Sequence, residues 1–239
     1  LENIWKEVHQ ECEKLGIAII GGHTGSYPGI AYPLNGGGTV IGLGKKSQLT
    51  PASNAKPGDR LIMTKGPAIE ATGILACQAE EELSEAIGVE LTEKGKDYFF
   101  QMTVIKDALT AAPNAHAMHD ATEGGLLNGI YEIAAASNTG VTVYEDKIIV
   151  PPEVKEICDY FNIDPLVSVS EGTLLIAARP EKASQIIDDL KNEQITAWDI
   201  GEITSGERVF VRKNGTREEL KPVSIDPFWA AYFSTLEEN

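Results

Sequence analysis

Apolar residues recur at helical spacing from the start of the chain. In LENIWKEVHQECEKLG (1–16), Ile4, Trp5, Val8, Cys12 and Leu15 share one face, and Gly16 supplies the stop. No Ser, Thr, Asp or Asn stands ahead of this pattern as a cap, so the chain is expected to begin inside a helix, as a fragment or processed form. IAII (17–20) is a short continuous apolar run bounded by glycines and predicts a buried strand; TVIGLG (39–44) predicts a second strand. Between them, GGHTGSYPGIAYPLNGGG is too rich in Gly and Pro for a regular element. The polar stretch KKSQLTPASNAKPG (45–58), with its two prolines, reads as a linker.

Beyond the linker the period alternates. RLIMT (60–64) predicts a strand, followed by helices from about 67 to 79 and from about 92 to 111, the second carrying Tyr98, Phe99, Met102, Ile105 and Leu109 as one stripe. AHAM (115–118) is a short strand leading into HDATEGGLLNGIYEIAAAS (119–137), whose helix keeps Leu126, Leu127, Ile130, Ile133 and Ala134 on one face. GVTVY, TLLIAA, ITAWDIGEI and RVFVR read as strands, PPEVKEICDYF and EKASQIIDDLK as helices, and DPFWAAYFSTL (226–236) as a short closing helix. Strands alternating with helices predict an α+β fold with a layered α/β domain. The expected division is 1–46 as the end of a first domain, 55–223 as a second, and 224–239 as a helical tail.

Charge narrows the partners. With 36 acidic and 20 basic side chains the formal net charge is −16, which repels polyanions and argues against nucleic acid and anionic membrane as general partners. A nucleotide remains compatible if a divalent cation or local backbone donors offset its charge. Cys12, Cys77 and Cys158 fit neither a disulfide framework nor a zinc site, which favours a cytoplasmic location, and no apolar run approaches the ~18 residues of a membrane span.

Two glycine turns are the candidate chemistry. In HDATEGGLL a strand passes directly into a helix, whose first free N–H groups and dipole suit an anion, while Gly124 and Gly125 would admit a ligand close to the backbone. The alternative is a plain helix start with Asp120 or Thr122 as N-cap; Asp120 and Glu123 would in addition repel a bare phosphate at the same helix end. The second turn, IIGGHTGSYPG (19–29), carries His23 and Thr24 at its tip; His23 can serve as a structural hydrogen-bonding residue or as a ligand. His9 and His116 read as surface or packing residues, and His119 as merely preceding its motif.

Four motifs in this order, IIGGHTGSYPG, PGDRLIMTKG (57–66), HDATEGGLLNGIYEIA and DPLVSVSEGTLLIAA (164–178) followed by ITAWDIGEI, resemble the aminoimidazole ribonucleotide (AIR) synthetase, PurM-like superfamily. The second domain is most similar to the hydrogenase-maturation factor HypE and to AIR synthase-related proteins. The resemblance implies a two-domain architecture with a complete C-terminal domain and a truncated N-terminal one, and ATP with Mg²⁺ bound in a cleft of a homodimer. It implies transfer of the γ-phosphate to a substrate oxygen, on a small molecule or a protein-bound group, in a maturation or biosynthetic role. Carried over by motif, Gly21, Gly22, His23 and Thr24 fall on the loop near the phosphates and metal, and Asp120, Thr122, Gly124 and Gly125 on the turn facing the same cleft, with His23 and Asp120 as the catalytic candidates. Lys65 is a phosphate neighbour on a weaker warrant, and Glu171 either orients substrate or caps a turn. Metal ligands are left unassigned: the family's Mg²⁺-holding aspartates would precede Leu1, so the chain alone is expected to be inactive and to need that segment for ATP. HypE's terminal acceptor cysteine has no counterpart in FSTLEEN, which keeps open a non-catalytic assembly or regulatory relative.

Overall fold

The computed structural model describes residues 1–25, 28–29 and 36–237 and divides the chain into two units, 1–43 and 44–239. In the first, α1 (Glu2–Lys14) forms as its periodicity predicts, and Gly16 leaves it at φ +69°. The two predicted strands do not form. Residues 17–20 and 39–44 are irregular, with Ile20, Val40, Ile41 and Leu43 exposed, because among the described residues neither run finds a ladder partner for its N–H and C=O groups. Residues 26, 27 and 30–35 of the predicted Gly- and Pro-rich loop lie outside the described residues.

The second unit is built on β1 (Arg60–Thr64), which passes into α2 (Ile69–Gln78), α3 (Glu80–Ala86) and α4 (Val89–Asp97). The single helix expected over 92–111 is broken. A 3-10 turn (98–101) follows α4, Met102 leaves the helical region, and α5 (Ile105–Ala111) restarts. Its supposed apolar stripe is split accordingly: Tyr98 is buried, whereas Phe99, Ile105 and Leu109 are exposed. The Lys65 ammonium fixes the break by bonding Thr103 O at 2.8 Å, and Gly73 of α2 leaves room for the Phe99 backbone.

Next come β2 (Ala117–Ala121), α6 (Gly125–Ala136), β3 (Gly140–Tyr144), α7 (Pro152–Tyr160), β4 (Thr173–Ala178), α8 (Pro180–Asn192), β5 (Ala197–Thr204), β6 (Arg208–Val211), β7 (Arg217–Glu219) and α9 (Phe228–Glu237). The strands form one sheet in the order β2-β4-β1-β5-β3-β6-β7, antiparallel except for the β3–β6 pair. Alternation sorts its two faces. Leu61, Met63, Leu175 and Ala177 pack with Leu126, Ile130 and Ile133 of α6, while Ile62, Leu174 and Ile176 pack with Ala183, Ile186 and Leu190 of α8. A third cluster joins α2, α7 and the tail through Leu75, Val154, Ile157 and Phe228. This is an α+β fold, and no helix among the described residues is long and apolar enough to cross a membrane.

Candidate functional site

The turn between β2 and α6 is assembled from the sheet edge outward. Strand β2 pairs only with β4 and so forms one margin of the sheet. It runs further than AHAM, so His119 and Asp120 belong to the strand and not to the turn. Asp120 projects half-exposed, its Oδ1 3.9 Å from His119 Nδ1. The remaining turn is Thr122, Glu123 and Gly124.

Neither Asp120 nor Thr122 caps α6. The cap position is Gly124 in a left-handed conformation (φ +77°), without a side-chain cap of its own. Gly125 is also left-handed at φ +64°. A Cβ on Gly125 would stand 2.5 Å from Ser168 O and 2.8 Å from Ser168 N, and one on Gly124 would stand 2.7 Å from Asn128 Cβ. Gly125 thus admits the chain's own 167–168 segment, and Gly124 the side chains of Asn128 and Val223.

The helix N–H groups are engaged as well. Gly124 N donates to Asp226 Oδ2 at 2.7 Å, Gly125 N to Thr122 O at 3.0 Å and Leu127 N to Leu166 O at 3.0 Å. Asp226 simultaneously accepts from Phe228 N through Oδ1 at 2.9 Å, so one carboxylate serves the starts of both α6 and α9. Asn128 adds a second tie, accepting from Val223 N at 3.1 Å while its amide donates to Glu123 O and to Glu132 Oε1. Glu132 in turn pairs with His119 Nε2 at 2.9 Å, giving that histidine a role that its place before the motif did not suggest. His116 likewise pairs with the buried Asp59, at 2.9 Å. A charged or amide residue four positions along α6 from Gly124 and Asn128 is the only signal the sequence offered for this network.

Lys65, expected as a phosphate neighbour, is turned into the fold. Its side chain is nearly buried, with Nζ 2.8 Å from Asp107 Oδ1 and 2.8 Å from Thr103 O, so its charge is consumed inside the fold. Burial pulls the ammonium below its ordinary pKa, against the opposing pull of Asp107. Glu171 is exposed and its N–H donates to Glu70 Oε2 at 3.3 Å. Burial raises Glu70 above the usual carboxylate range, and the charges of Glu171, Asp226 and Glu123 push in the same direction, against the Glu171 N–H. Carboxylates thus gather around the turn, yet among the described residues no three His, Cys, Asp or Glu side chains are grouped to hold a metal ion.

In the first unit, Gly21, Gly22, His23 and Thr24 line an open depression with Trp5 and Ile19, of about 410 Å³. Among the described residues of that unit nothing lies within 4 Å of a Cβ built on Gly21 or Gly22.

Comparison with known proteins agrees with this framework. A carbamoyl dehydratase HypE of Rhodobacter capsulatus is 28% identical over 181 residues, 74% of this chain and 50% of that protein. A selenide, water dikinase of Methanocaldococcus jannaschii is 28% identical over 208 residues, 80% of this chain and 58% of that protein. The crystal structure of the hydrogenase maturation protein HypE in complex with ATP shares the fold, with a TM-score of 0.53 at 21% identity over 75% of this chain and 55% of that one. The chain spans about half the length of the curated relatives it matches. Residues 56–214, which hold the whole sheet up to the β6–β7 hairpin, match the family model of the AIR synthase related protein C-terminal domain, and the chain belongs to that family.

Proposed function

We propose that the chain is the C-terminal part of an ATP-dependent enzyme that activates a substrate oxygen by phosphoryl transfer, in a HypE-like maturation or biosynthetic role. The observation that carries this reading is the family match over 56–214, joined by relatives named as a carbamoyl dehydratase and a selenide, water dikinase. ATP would supply the γ-phosphoryl group that makes a poor leaving oxygen a good one. The chain's contribution is positioning and charge placement around the β2–α6 turn. With the Gly124, Gly125 and Leu127 N–H groups engaged, the groups left there include the buried Leu126 N–H and, able to meet a ligand, the Thr122 hydroxyl and the Asp120 carboxylate, half-exposed at the strand end and 3.9 Å from His119 Nδ1. Gly21, Gly22, His23 and Thr24 form the second candidate contact, on the first unit. Among the described residues no three His, Cys, Asp or Glu side chains are grouped as a cage for Mg²⁺. The same reading expects the intact protein to work as a homodimer in the cytoplasm.

A second reading, a non-catalytic assembly or regulatory relative, is favoured by the same engaged N–H groups. Calorimetry separates the two. ATP with Mg²⁺ is titrated into this chain and into the natural open reading frame that contains it, each with and without Asp120→Ala. Binding that weakens at least about tenfold in the variant supports the enzyme reading; absence of binding by every form removes it.

A further inference from the structure

Residues 221–227 form a strap over the start of α6. Its two ends are buried: Leu220 sits in the core beneath the sheet and its N–H bonds Arg208 O at 2.9 Å, and Phe228 is 2% exposed in the helical cluster, stacked on Tyr232. Between these anchors Val223, Asp226 and Pro227 are half-buried, Val223 against Gly124, and the rest of the strap is open to solvent. Lys221, Pro222, Ser224 and Ile225 are exposed, Ile225 at 81%, and Pro222 and Pro227 remove two backbone donors that could have tied the segment down. Among the described residues, two hydrogen bonds hold the middle of the strap to the turn, Val223 N to Asn128 Oδ1 at 3.1 Å and Gly124 N to Asp226 Oδ2 at 2.7 Å. Few buried contacts and exposed backbone bonds are the physical marks of a segment that opens without global unfolding.

What the strap places on the turn is a carboxylate. The N-terminus of a helix favours an anion through its free N–H groups and its dipole, and a phosphate oxygen would seek the donor that Asp226 now holds. Exchange of one anion for another leaves the charge at the helix end balanced. A phosphate added beside a seated Asp226 would instead meet Glu123, Glu171 and Asp226 together. We propose that the strap is an autoinhibitory contact: Asp226 seats on Gly124 N–H in the nucleotide-free state, and a nucleotide phosphate group takes that donor by lifting residues 221–227. This rests on the reading that the β2–α6 turn faces the nucleotide, and it adds the regulation of that turn.

The test follows the Gly124 amide by NMR in the uniformly ¹⁵N-labelled chain, parent and Asp226→Asn, during titration with ATP and Mg²⁺. Asn keeps the cap at Phe228 and removes the charge, so α9 retains its start. Asn128→Ala, which frees the Val223 end, serves as an independent variant should Asp226→Asn disturb folding. The expected result is amide exchange at Gly124 about tenfold faster in Asp226→Asn than in the parent. ATP is expected to shift the Gly124 resonance at a concentration about fivefold lower, with a smaller change of the same sign in Asn128→Ala. Equal shifts in parent and variants overturn the strap and leave the nucleotide reading standing. ATP-induced shifts at Asp120 and Thr122 with none at Gly124 do the same. No shift at any turn residue in any form, nor in the natural open reading frame, overturns the nucleotide reading and the strap with it.

Discussion

The chain carries two Gly-Gly turns, each read from the sequence as a strand end closing on a possible phosphate loop, and the structure treats them oppositely. At Gly124–Gly125 both residues are left-handed, and a Cβ on Gly125 would run into the backbone of Ser168 at 2.5 Å. At Gly21–Gly22 neither φ is positive, and among the described residues of its own unit nothing lies within 4 Å of the added carbon. The first pair is demanded by the packing of the chain against itself. The second is not demanded by any packing its unit displays, which leaves its surface free for an outside group. Identical letters therefore carry different physical content, and only the space above each glycine tells them apart.

Gly125→Ala should break the comparison most sharply. Left-handed strain and overpacking against 167–168 together should cost about 2–5 kcal/mol in urea unfolding. A loss under about 1 kcal/mol would show that the 164–172 segment yields, and the two turns would then be alike. Next in size, Asp226→Ala removes the acceptor from Gly124 N and Phe228 N at once and should cost about 1–2 kcal/mol by the same measurement, with Asp226→Asn recovering only the Phe228 part, since its single amide oxygen serves one of the two N–H groups.

Glu70→Gln sharpens the electrostatic side of the first turn. The folded state raises Glu70 above its ordinary value near 4.5, so it binds the proton more tightly than the unfolded chain does. The stability Glu70 contributes is therefore full below that value and is lost as pH rises through the raised one. The Gln variant should gain about 1–2 °C in Tm at pH 7, and the gain should vanish near pH 4 when thermal melts are compared across pH. Smallest of all, Gly21→Ala and Gly22→Ala should each change unfolding free energy by less than about 0.5 kcal/mol, because neither strain nor contact opposes the methyl group. A larger loss would reveal a packing demand on that loop and close the gap between the two turns.

Legibility in the sequence followed the range of the forces involved. Strands β1, β3 and β4 and helices α6, α7 and α8 announce themselves because burial against a sheet imposes a period of 2 or 3.6 on neighbouring letters. Strand β7 gives no such signal, since Arg217–Glu219 are exposed and held by their ladder with β6 and by surface ion pairs of Glu218 with Arg212 and of Glu219 with Lys221. The break after Tyr98 was hidden because it depends on Lys65, 38 residues away, reaching Thr103 O. The runs at 17–20 and 39–44 show the converse, strand composition without a ladder to join. At the candidate site, the strand–glycine–helix order was legible, but the occupant of its N–H groups was not. Asp226 lies 102 residues from Gly124 and reads locally as an ordinary cap for the tail helix.

The placement of β1 also governs how the protein comes off the ribosome. RLIMT is the first strand of the sheet to be synthesised, yet it lies between β4 and β5, and Arg60 grips Asp199 bidentately across 139 residues of sequence. At roughly 5–20 residues per second of translation, that apolar strand waits about 6 to 23 seconds for β4, with both edges unpaired. Non-local pairing of this kind makes the nascent chain slow to fold and open to aggregation. The first cover for one face of β1 comes with α6, whose Leu126, Ile130 and Ile133 pack on Leu61 and Met63 and which is complete before β4 is made.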